Sequence, residues 1–462
     1  MPPTGGLRFR RKELRLKSLS RYAWLVPTLS LAGLTACALA FGSARPTPKA
    51  HPKAKVEAAP ATVTYAHDIA PILYQNCTTC HRAGEVAPFA LTSYADARKR
   101  AAFLAAVTQS RYMPPWKADS HGQFLDERRL TDAQIAAIRK WSAEGAPLGD
   151  PHALPPTPHF ASGWRLGTPD AEFQPARSYT LAADGNDVYR CFVIPTHYKE
   201  DRWVTAMQLR PGNAKIVHHT LVYLDTTSKA RQLEAQAHDG NPGFSQAGFT
   251  GSELLGVWAP GNDPRPLPPG VGIRLPKDAD IVLQVHYHKD GKPETDLTRL
   301  GLYFAQGPVD KPLRIFPLPA WLWVPPGDAH YVTHADLTVP ADATLLEVMP
   351  HMHLLGRTMT VTAIPPGATA AQTLVNVPDW DFNWQSTYVY KRPVELPKGT
   401  KIHMTATYDN SAANPRNPTR PPKLVTWGEQ TTDEMCLAFL FFTVDAEHAP
   451  QGRGKVAAHP TR

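Results

Sequence analysis

The sequence predicts a multidomain protein in which a small all-α domain precedes an all-β remainder with the texture of β-sandwiches, and three observations carry that prediction. Helical periodicity is confined to residues 63–149, prolines crowd the stretch that follows, and beyond it the chain breaks into short β-branched or aromatic runs separated by Gly, Pro, Asn and Asp. A chain of 462 residues is too long for one core and splits into domains. Its 42% hydrophobic and 19% charged residues describe a globular protein. Its 47 prolines, about twice the usual share, make long helices scarce.

Residues 1–44 stand apart. Arg8, Arg10, Arg11, Lys12, Arg15, Lys17 and Arg21 face only Glu13, so residues 1–22 hold +6 of the formal +8. The excess charge is thus N-terminal, and no basic face for nucleic acid remains. An uncharged, mostly apolar run over 23–42 and a Pro/Ala/Lys-rich stretch over 45–62 complete the order of an export signal followed by a linker. Twenty uncharged residues also suffice as a membrane anchor. Leu34-Thr35-Ala36-Cys37 resembles the lipobox at which bacterial lipoproteins are cleaved and lipidated. Each of these readings exports the protein to the periplasm or cell envelope, and Arg10-Arg11 fits twin-arginine export.

Within 63–149, residues 93–109 are rich in Ala, Leu, Lys and Arg, a helical composition. Thr131 and Gln134 make a capping box, Ile135, Ile138 and Trp141 recur at helical spacing, and Gly145 with Pro147 ends the run. Ahead of both lies Cys77-Thr78-Thr79-Cys80-His81. Two thiols at that spacing form thioethers to the vinyl groups of haem, and the adjacent histidine supplies the proximal iron ligand. A disulfide is the bland alternative, and zinc would need more Cys or His close by. Met113, the only methionine between residues 2 and 206, is the candidate sixth ligand, because a thioether raises the potential and suits electron transfer. His121 competes with it, and core packing is the structural alternative for Met113. The domain is read as a c-type cytochrome with one haem c, similar to the small cytochrome c domains that precede larger redox modules in exported bacterial proteins.

Pro147, Pro151, Pro155, Pro156 and Pro158 rule out helix or central strand and set a linker over 150–162. Strands are expected over 203–209, 216–224, 280–288, 345–349 and 437–444, in two domains over 163–308 and 309–446, with a polar, disordered tail over 447–462.

Four polar clusters lie in strand-like surroundings: Val217-His218-His219-Thr220, Leu283-Gln284-Val285-His286-Tyr287-His288, Pro350-His351-Met352-His353 and Asp433-Glu434-Met435-Cys436. Imidazoles with one thioether suit copper better than zinc or calcium. His351 and His353 project from one face of a strand and can share a metal. His286 and His288 have the same spacing, so either could be the ligand. Adjacent His218 and His219 point to opposite faces of a regular strand, so their joint use needs a strand end or bulge. With 19 histidines in the chain, a single one is more often surface or filler than a ligand, and the clustering carries the case.

VHH, LQVHY, HxH and TDEMC occur in the order found in the copper type II, ascorbate-dependent monooxygenases, the peptidylglycine and dopamine hydroxylase family. Trp258-Ala259 and Leu267-Pro268-Pro269-Gly270-Val271-Gly272 also resemble that family, over about residues 165–445. The resemblance implies two jelly-roll-like sandwiches, each with one copper, facing a solvent-filled cleft. It implies His218, His219 and His286 at the electron-transferring copper and His351, His353 and Met435 at the oxygen-binding, catalytic copper. It also implies hydroxylation of an aliphatic C–H bond of a small-molecule substrate with O2, with electrons from ascorbate or a periplasmic or membrane redox carrier. The haem domain in the same chain suggests haem as the source of those electrons. Met349 stands where the peptide-amidating enzymes have a carboxylate-binding arginine and Phe439 where they have a tyrosine, so peptide amidation is not expected. That departure leaves a non-catalytic copper and haem electron carrier or oxygen sensor as the alternative. Cys191 and Cys436 either pair or stay as thiols.

Overall fold

The computed structural model describes residues 62–160, 163–245 and 253–450. The export or anchor segment, Cys37 and the linker as far as residue 61 lie outside the described residues. All described residues belong to one packed unit, most of it β-sheet, and no described helix is long and apolar enough to cross a membrane.

The helices are α1 (Ala70–Asn76), α2 (Tyr94–Lys99), α3 (Ala101–Gln109) and α4 (Asp132–Ala143), with a π-turn over Tyr65–Ile69 leading into α1. The helix expected over 93–109 is two helices, because Arg100 leaves helical geometry at φ −118°, ψ 13°. Ser93 caps α2 by accepting from the Asp96 amide at 3.2 Å. The Thr131/Gln134 box forms in both directions, at 3.2 and 2.9 Å. Gly145 ends α4 with a φ of +83° that other residues rarely adopt. Trp141 is fully buried against Tyr65, Ile69, Leu73 and Ile138, and its indole N–H donates to the Pro147 carbonyl at 3.0 Å.

Residues 118–125 leave this helical core. Ala118 and Phe124 are buried in the core of the second sandwich. The Asp119 amide donates to Asn376 O at 2.7 Å, Leu125 N to Val389 O at 2.8 Å and Lys391 N to Gln123 O at 2.9 Å. The segment therefore lies along the edge strand Tyr388–Leu396 and satisfies backbone groups an open edge would expose. Phe124 seats its ring 5.2 Å from both Tyr388 and Tyr390.

The first sandwich has two five-stranded sheets. One is ordered Ala171–Phe173, Arg299–Phe304, Arg202–Arg210, Val271–Leu275, Lys311–Pro312; the other Phe244–Ser245, Val188–Pro195, Asp280–Tyr287, Val217–Asp225, Glu253–Trp258. The second has two four-stranded sheets, ordered Arg314–Pro319, Cys436–Val444, Ala343–Met352, Tyr388–Leu396 and Tyr331–Thr338, Lys401–Tyr408, Gly356–Ile364, Gln372–Val377. Leu346, Met349 and Phe441 of the second sandwich are buried in the core of the first, which joins the two by an apolar seam. The five strands expected from sequence all form, each within two or three residues of its expected ends.

Two details differ from expectation. Asp280–Tyr287 is buried at every position, because its outer face lies under Cys191, Phe244 and Ala230, the last on a helix over Lys229–Gln236 that the sequence pattern did not announce. Of the tail expected over 447–462, residues 451–462 lie outside the described residues and the first three are held in place: Glu447 pairs with Arg314, His448 with Asp310 at 2.6 Å, and Ala449 donates its amide to Asp310 O at 2.7 Å. Polar composition there reflects surface pairing and not disorder.

Arg190, 1% exposed, sits one residue beyond Tyr189 in the sheet that carries the first histidine cluster. Its guanidinium donates to the Pro242, Asn241 and Gly243 carbonyls at 2.7, 3.1 and 2.7 Å and pairs with Asp239 at 2.5 Å. Arg190→Leu strands those acceptors, and urea denaturation is expected to show a loss of about 3 kcal/mol, the lower end for a broken buried pair because Asp239 is partly solvated.

Candidate metal centres

His218 and His219 open the strand Val217–Asp225, and His286 lies on its neighbour Asp280–Tyr287. The register slips between Val217 and His219, so that Val217 pairs with Tyr287 and His219 with His286. This irregularity is the device that adjacent histidines need to reach one point. His218 Nδ1 lies 3.1 Å and His286 Nδ1 3.4 Å from His219 Nδ1, and one ring nitrogen from each of the three lies within 4.8 Å of the others. Nitrogens about 2.0 Å from a common ion lie roughly 3 Å apart, so the donor set fits one transition-metal ion.

Asp187, which the sequence reading missed, sets the tautomer. His286 Nε2 donates to Asp187 Oδ2 at 3.0 Å, which places the proton on Nε2 and turns the Nδ1 lone pair inward. Tyr189 stacks on the same ring at 4.2 Å. His288 lies past the strand end, exposed, and bonds the other Asp187 oxygen at 3.1 Å. The structure therefore brings His286, and not His288, into the cluster. Thr431 of the second sandwich donates to Asp187 Oδ2 at 2.7 Å, tying the two sandwiches behind the first centre.

His351 lies at the end of the strand Ala343–Met352 and His353 just past it, with ring centroids 5.2 Å apart. Gln385 Oε1 accepts from His351 Nδ1 at 2.7 Å, its own amide group fixed by donation to Phe382 O at 3.0 Å. The Asp433 carbonyl accepts from His353 Nδ1 at 3.1 Å. Both rings thus keep Nε2 for a ligand. The register ends with His351 opposite Leu437 and Met352 opposite Cys436, and Met435 directly precedes the strand Cys436–Val444 at this end of the sheet. The Met435 carbonyl accepts from Tyr408 Oη at 2.6 Å. The buried carboxyl of Glu434 accepts from the His353 and Leu355 amides at 2.9 and 2.6 Å. Met349 and Phe439 face each other across the same strands, an apolar pair where a carboxylate site would need charge.

The solvent-filled cleft is not what the structure shows. His219 and His351 stand 6.3 Å apart, centroid to centroid. Phe382 stacks on His218 at 4.6 Å and lies 5.7 Å from His353. The apolar seam closes the sandwiches together, so the two histidine sets face each other directly.

Burial pushes all five imidazoles below their ordinary range, His218 to about 3, His351 to about 4, His219 and His353 well below, and His286 less, since Asp187 opposes the effect. They are neutral at pH 7, as metal ligands must be. A depressed folded value means that the unfolded chain takes up protons first, so these histidines cost the metal-free protein no stability above pH 6.5 and an increasing amount as pH falls from 6.5 toward 4. Urea midpoints of metal-free protein measured at pH 7.5, 6 and 4.5 are expected to fall in that order.

In the helical region, His81 Nδ1 donates to the Phe89 carbonyl at 3.1 Å, leaving Nε2 available. Cys77 and Cys80 carry no disulfide, and Cys80 borders a cavity of about 590 Å³ whose far wall includes Trp258 of the first sandwich. Met113 is half-buried just after α3, its amide donating to Val107 O at 3.1 Å. His121 is exposed. Cys191 and Cys436 are buried in different sandwiches, and no disulfide joins them.

Two β-sandwiches thus bring two sets of imidazoles face to face, and the first set, His218, His219 and His286, could hold a metal ion. Residues 163–294 match the N-terminal domain and residues 332–451 the C-terminal domain of copper type II ascorbate-dependent monooxygenases, and the chain belongs to that family. It is 22% identical over 299 residues to the human putative DBH-like monooxygenase protein 2, covering 57% of this chain and 54% of that protein, so it spans about half of that relative. Among solved structures, the infectious bursal disease virus VP2 subviral particle covers 60% of this chain and 75% of its own at 10% identity and a TM-score of 0.18. The PBCV-1 virus capsid covers 63% and 98% at 8% identity and a TM-score of 0.23. These scores are too low to define a shared fold.

Proposed function

We propose that this chain is an exported copper monooxygenase that hydroxylates an aliphatic C–H bond of a small molecule with O2, fed with electrons by a haem c bound at Cys77, Cys80 and His81 with Met113 as sixth ligand. The convergence of His218, His219 and His286 within 4.8 Å, opposite His351 and His353, carries this reading. The reaction takes R–H, O2, two electrons and two protons to R–OH and water. When bound, the coppers supply its one-electron steps.

The residues do the rest. His218, His219 and His286 offer neutral nitrogens at the electron-transfer centre, with Asp187 orienting His286. His351, His353 and Met435 form the catalytic set, a softer one suited to Cu(I). Gln385 and the Asp433 carbonyl fix the two rings, and Phe382 keeps water from the space between the sets. Supporting the haem as electron inlet, Trp258 lines the cavity beside Cys80 and pairs across the sheet with Thr220, next to His219. His81, with its Nδ1 committed to Phe89, fits a proximal ligand.

Stopped-flow mixing of the ferrous haem protein with O2 and candidate substrates tests this. The haem is expected to reoxidise faster with copper loaded than without, and equal rates overturn the haem-to-copper route. The closed seam over the histidine sets favours a second reading, an electron carrier without turnover, which is supported if copper-loaded protein consumes O2 with reductant and yields no hydroxylated product.

A further inference from the structure

In the second sandwich the short strand Trp323–Val324 pairs with Val425–Thr426, so that Trp323 stands opposite Thr426 and Val324 opposite Val425. Alternation gives this two-stranded ribbon two faces. Leu322, Val324 and Val425 are buried in the core of the sandwich, which leaves Trp321, Trp323 and Leu424 on the outer face, 83%, 64% and 44% exposed. Val332, 57% exposed, lies on the neighbouring strand Tyr331–Thr338. That strand is tied to the ribbon: the Trp323 amide donates to Tyr331 Oη at 3.2 Å, and Thr333 Oγ1 to the Trp321 carbonyl at 2.9 Å. The Trp321 ring lies 6.1 Å from that of Trp427. Asn410, wholly buried, clamps the two strands by donating to the Val324 and Lys423 carbonyls at 3.1 and 2.8 Å. The core needs only one face of this ribbon to be apolar, and a preformed apolar cluster on the other marks a contact surface.

Charge selects the partner. From residue 410 to residue 428 the chain carries Arg416, Arg420 and Lys423 and no acidic residue. Arg416 and Arg420 donate to the Trp380 and Asn414 carbonyls at 2.6 and 3.4 Å, and none of the three pairs with a carboxylate among the described residues. Arg420 and Lys423 are exposed. Of the flanking acids, Asp328 and Asp409 each have an oxygen tied to a backbone amide, of His330 at 2.8 Å and of Ser411 at 2.9 Å, and Glu429 is half-buried. Indole rings favour the boundary between hydrocarbon and headgroups, and basic side chains beside them add attraction to anionic lipid. We propose that this ribbon docks on a bilayer rich in anionic lipid, Trp321, Trp323 and Leu424 entering the interface and Arg420 and Lys423 meeting headgroup phosphates. The uncharged run over residues 23–42, read above as an export signal or anchor, would bring such a surface within reach. A second copy of the chain would set like charges against each other, and a neutral polysaccharide would leave them unmatched. The proposal depends on neither the haem nor the copper reading.

Hydrogen–deuterium exchange of the full-length protein, followed by mass spectrometry with and without vesicles, tests this. The readout is local, so a tether through residues 23–42 does not stand in for contact at the ribbon. Vesicles of equal parts phosphatidylcholine and phosphatidylglycerol are expected to slow exchange in peptides covering 319–332 and 416–428, and vesicles of phosphatidylcholine alone much less. Trp321→Ser/Trp323→Ser should lose that protection. Arg420→Gln/Lys423→Gln should raise the lipid concentration giving half-protection by about 25-fold, roughly fivefold for each charge. Unchanged slow exchange in the buried strand Ala343–Met352 shows that each variant is folded. The proposal is overturned if the mixed vesicles protect neither peptide, if neutral vesicles protect them equally, or if the tryptophan variant is protected as well as wild type. Protection that appears without lipid as protein concentration rises assigns the face to a second copy, and protection by soluble dextran assigns it to a polysaccharide; either result also overturns it.

Discussion

Met435→Ile is expected to abolish hydroxylation while leaving the first electron transfer intact. In the account above, the haem delivers electrons to the set formed by His218, His219 and His286, whose nearest donors to one another are 3.1 and 3.4 Å apart and include no atom of Met435. Isoleucine fills a similar volume but removes the thioether that makes the second centre soft. Product formation should fall to background, at least about 1,000-fold, which corresponds to roughly 4 kcal/mol of lost transition-state stabilisation. Stopped-flow traces should still show rapid oxidation of one haem equivalent. Variants at His218, His219 or His286 should instead stop that first phase. A Met435→Ile protein that keeps half its turnover would remove Met435 from the catalytic set.

Glu434→Ala should damage both the fold and the second centre. Glu434 is wholly buried, and its two oxygens hold the His353 and Leu355 amides, so removal leaves two buried N–H groups without acceptors. At about 1–3 kcal/mol each, the loss is on the order of 2–6 kcal/mol by urea denaturation, and His353 is released from position. Glu434→Gln keeps one acceptor and should cost about half as much. Burial pushes the carboxyl up to about 8, so its contribution is complete below about pH 4.5 and is lost as pH rises toward 8. The stability gap between Glu434→Gln and wild type should therefore narrow as pH rises from 4.5 toward 8, since both proteins carry the same histidine titration.

Local signals were the legible ones. The Thr131/Gln134 box, the Gly145 stop and the β-branched strands are decided by neighbours in sequence, and the structure has them. The paired histidines were visible as motifs, but His286 could not be separated from His288 because both point to one face of a strand. The sheet makes the choice by ending at Tyr287. Residues that orient the ligands were invisible, since Asp187 lies 99 positions from His286 and Gln385 34 from His351, and acidic or amide residues in loops carry no periodicity. The docking of residues 118–125 onto an edge strand was hidden for the same reason: Phe124 reads as one more helical-domain core residue until Tyr388 and Tyr390 are seen around it. The closure of the two sandwiches follows from Leu346, Met349 and Phe441, whose outward positions on their strands look like core positions of a single sandwich.

Metal counting on the purified, haem-matured protein tests the central claim most directly. Elemental analysis of wild type, His219→Ala and His351→Ala, with electron paramagnetic resonance of the oxidised forms, should give two coppers per haem in wild type. Each variant should retain one copper, and the two remaining Cu(II) spectra should differ and sum to that of wild type. A wild-type protein that binds no copper, or variants that keep both, would contradict the assignment of two separate centres.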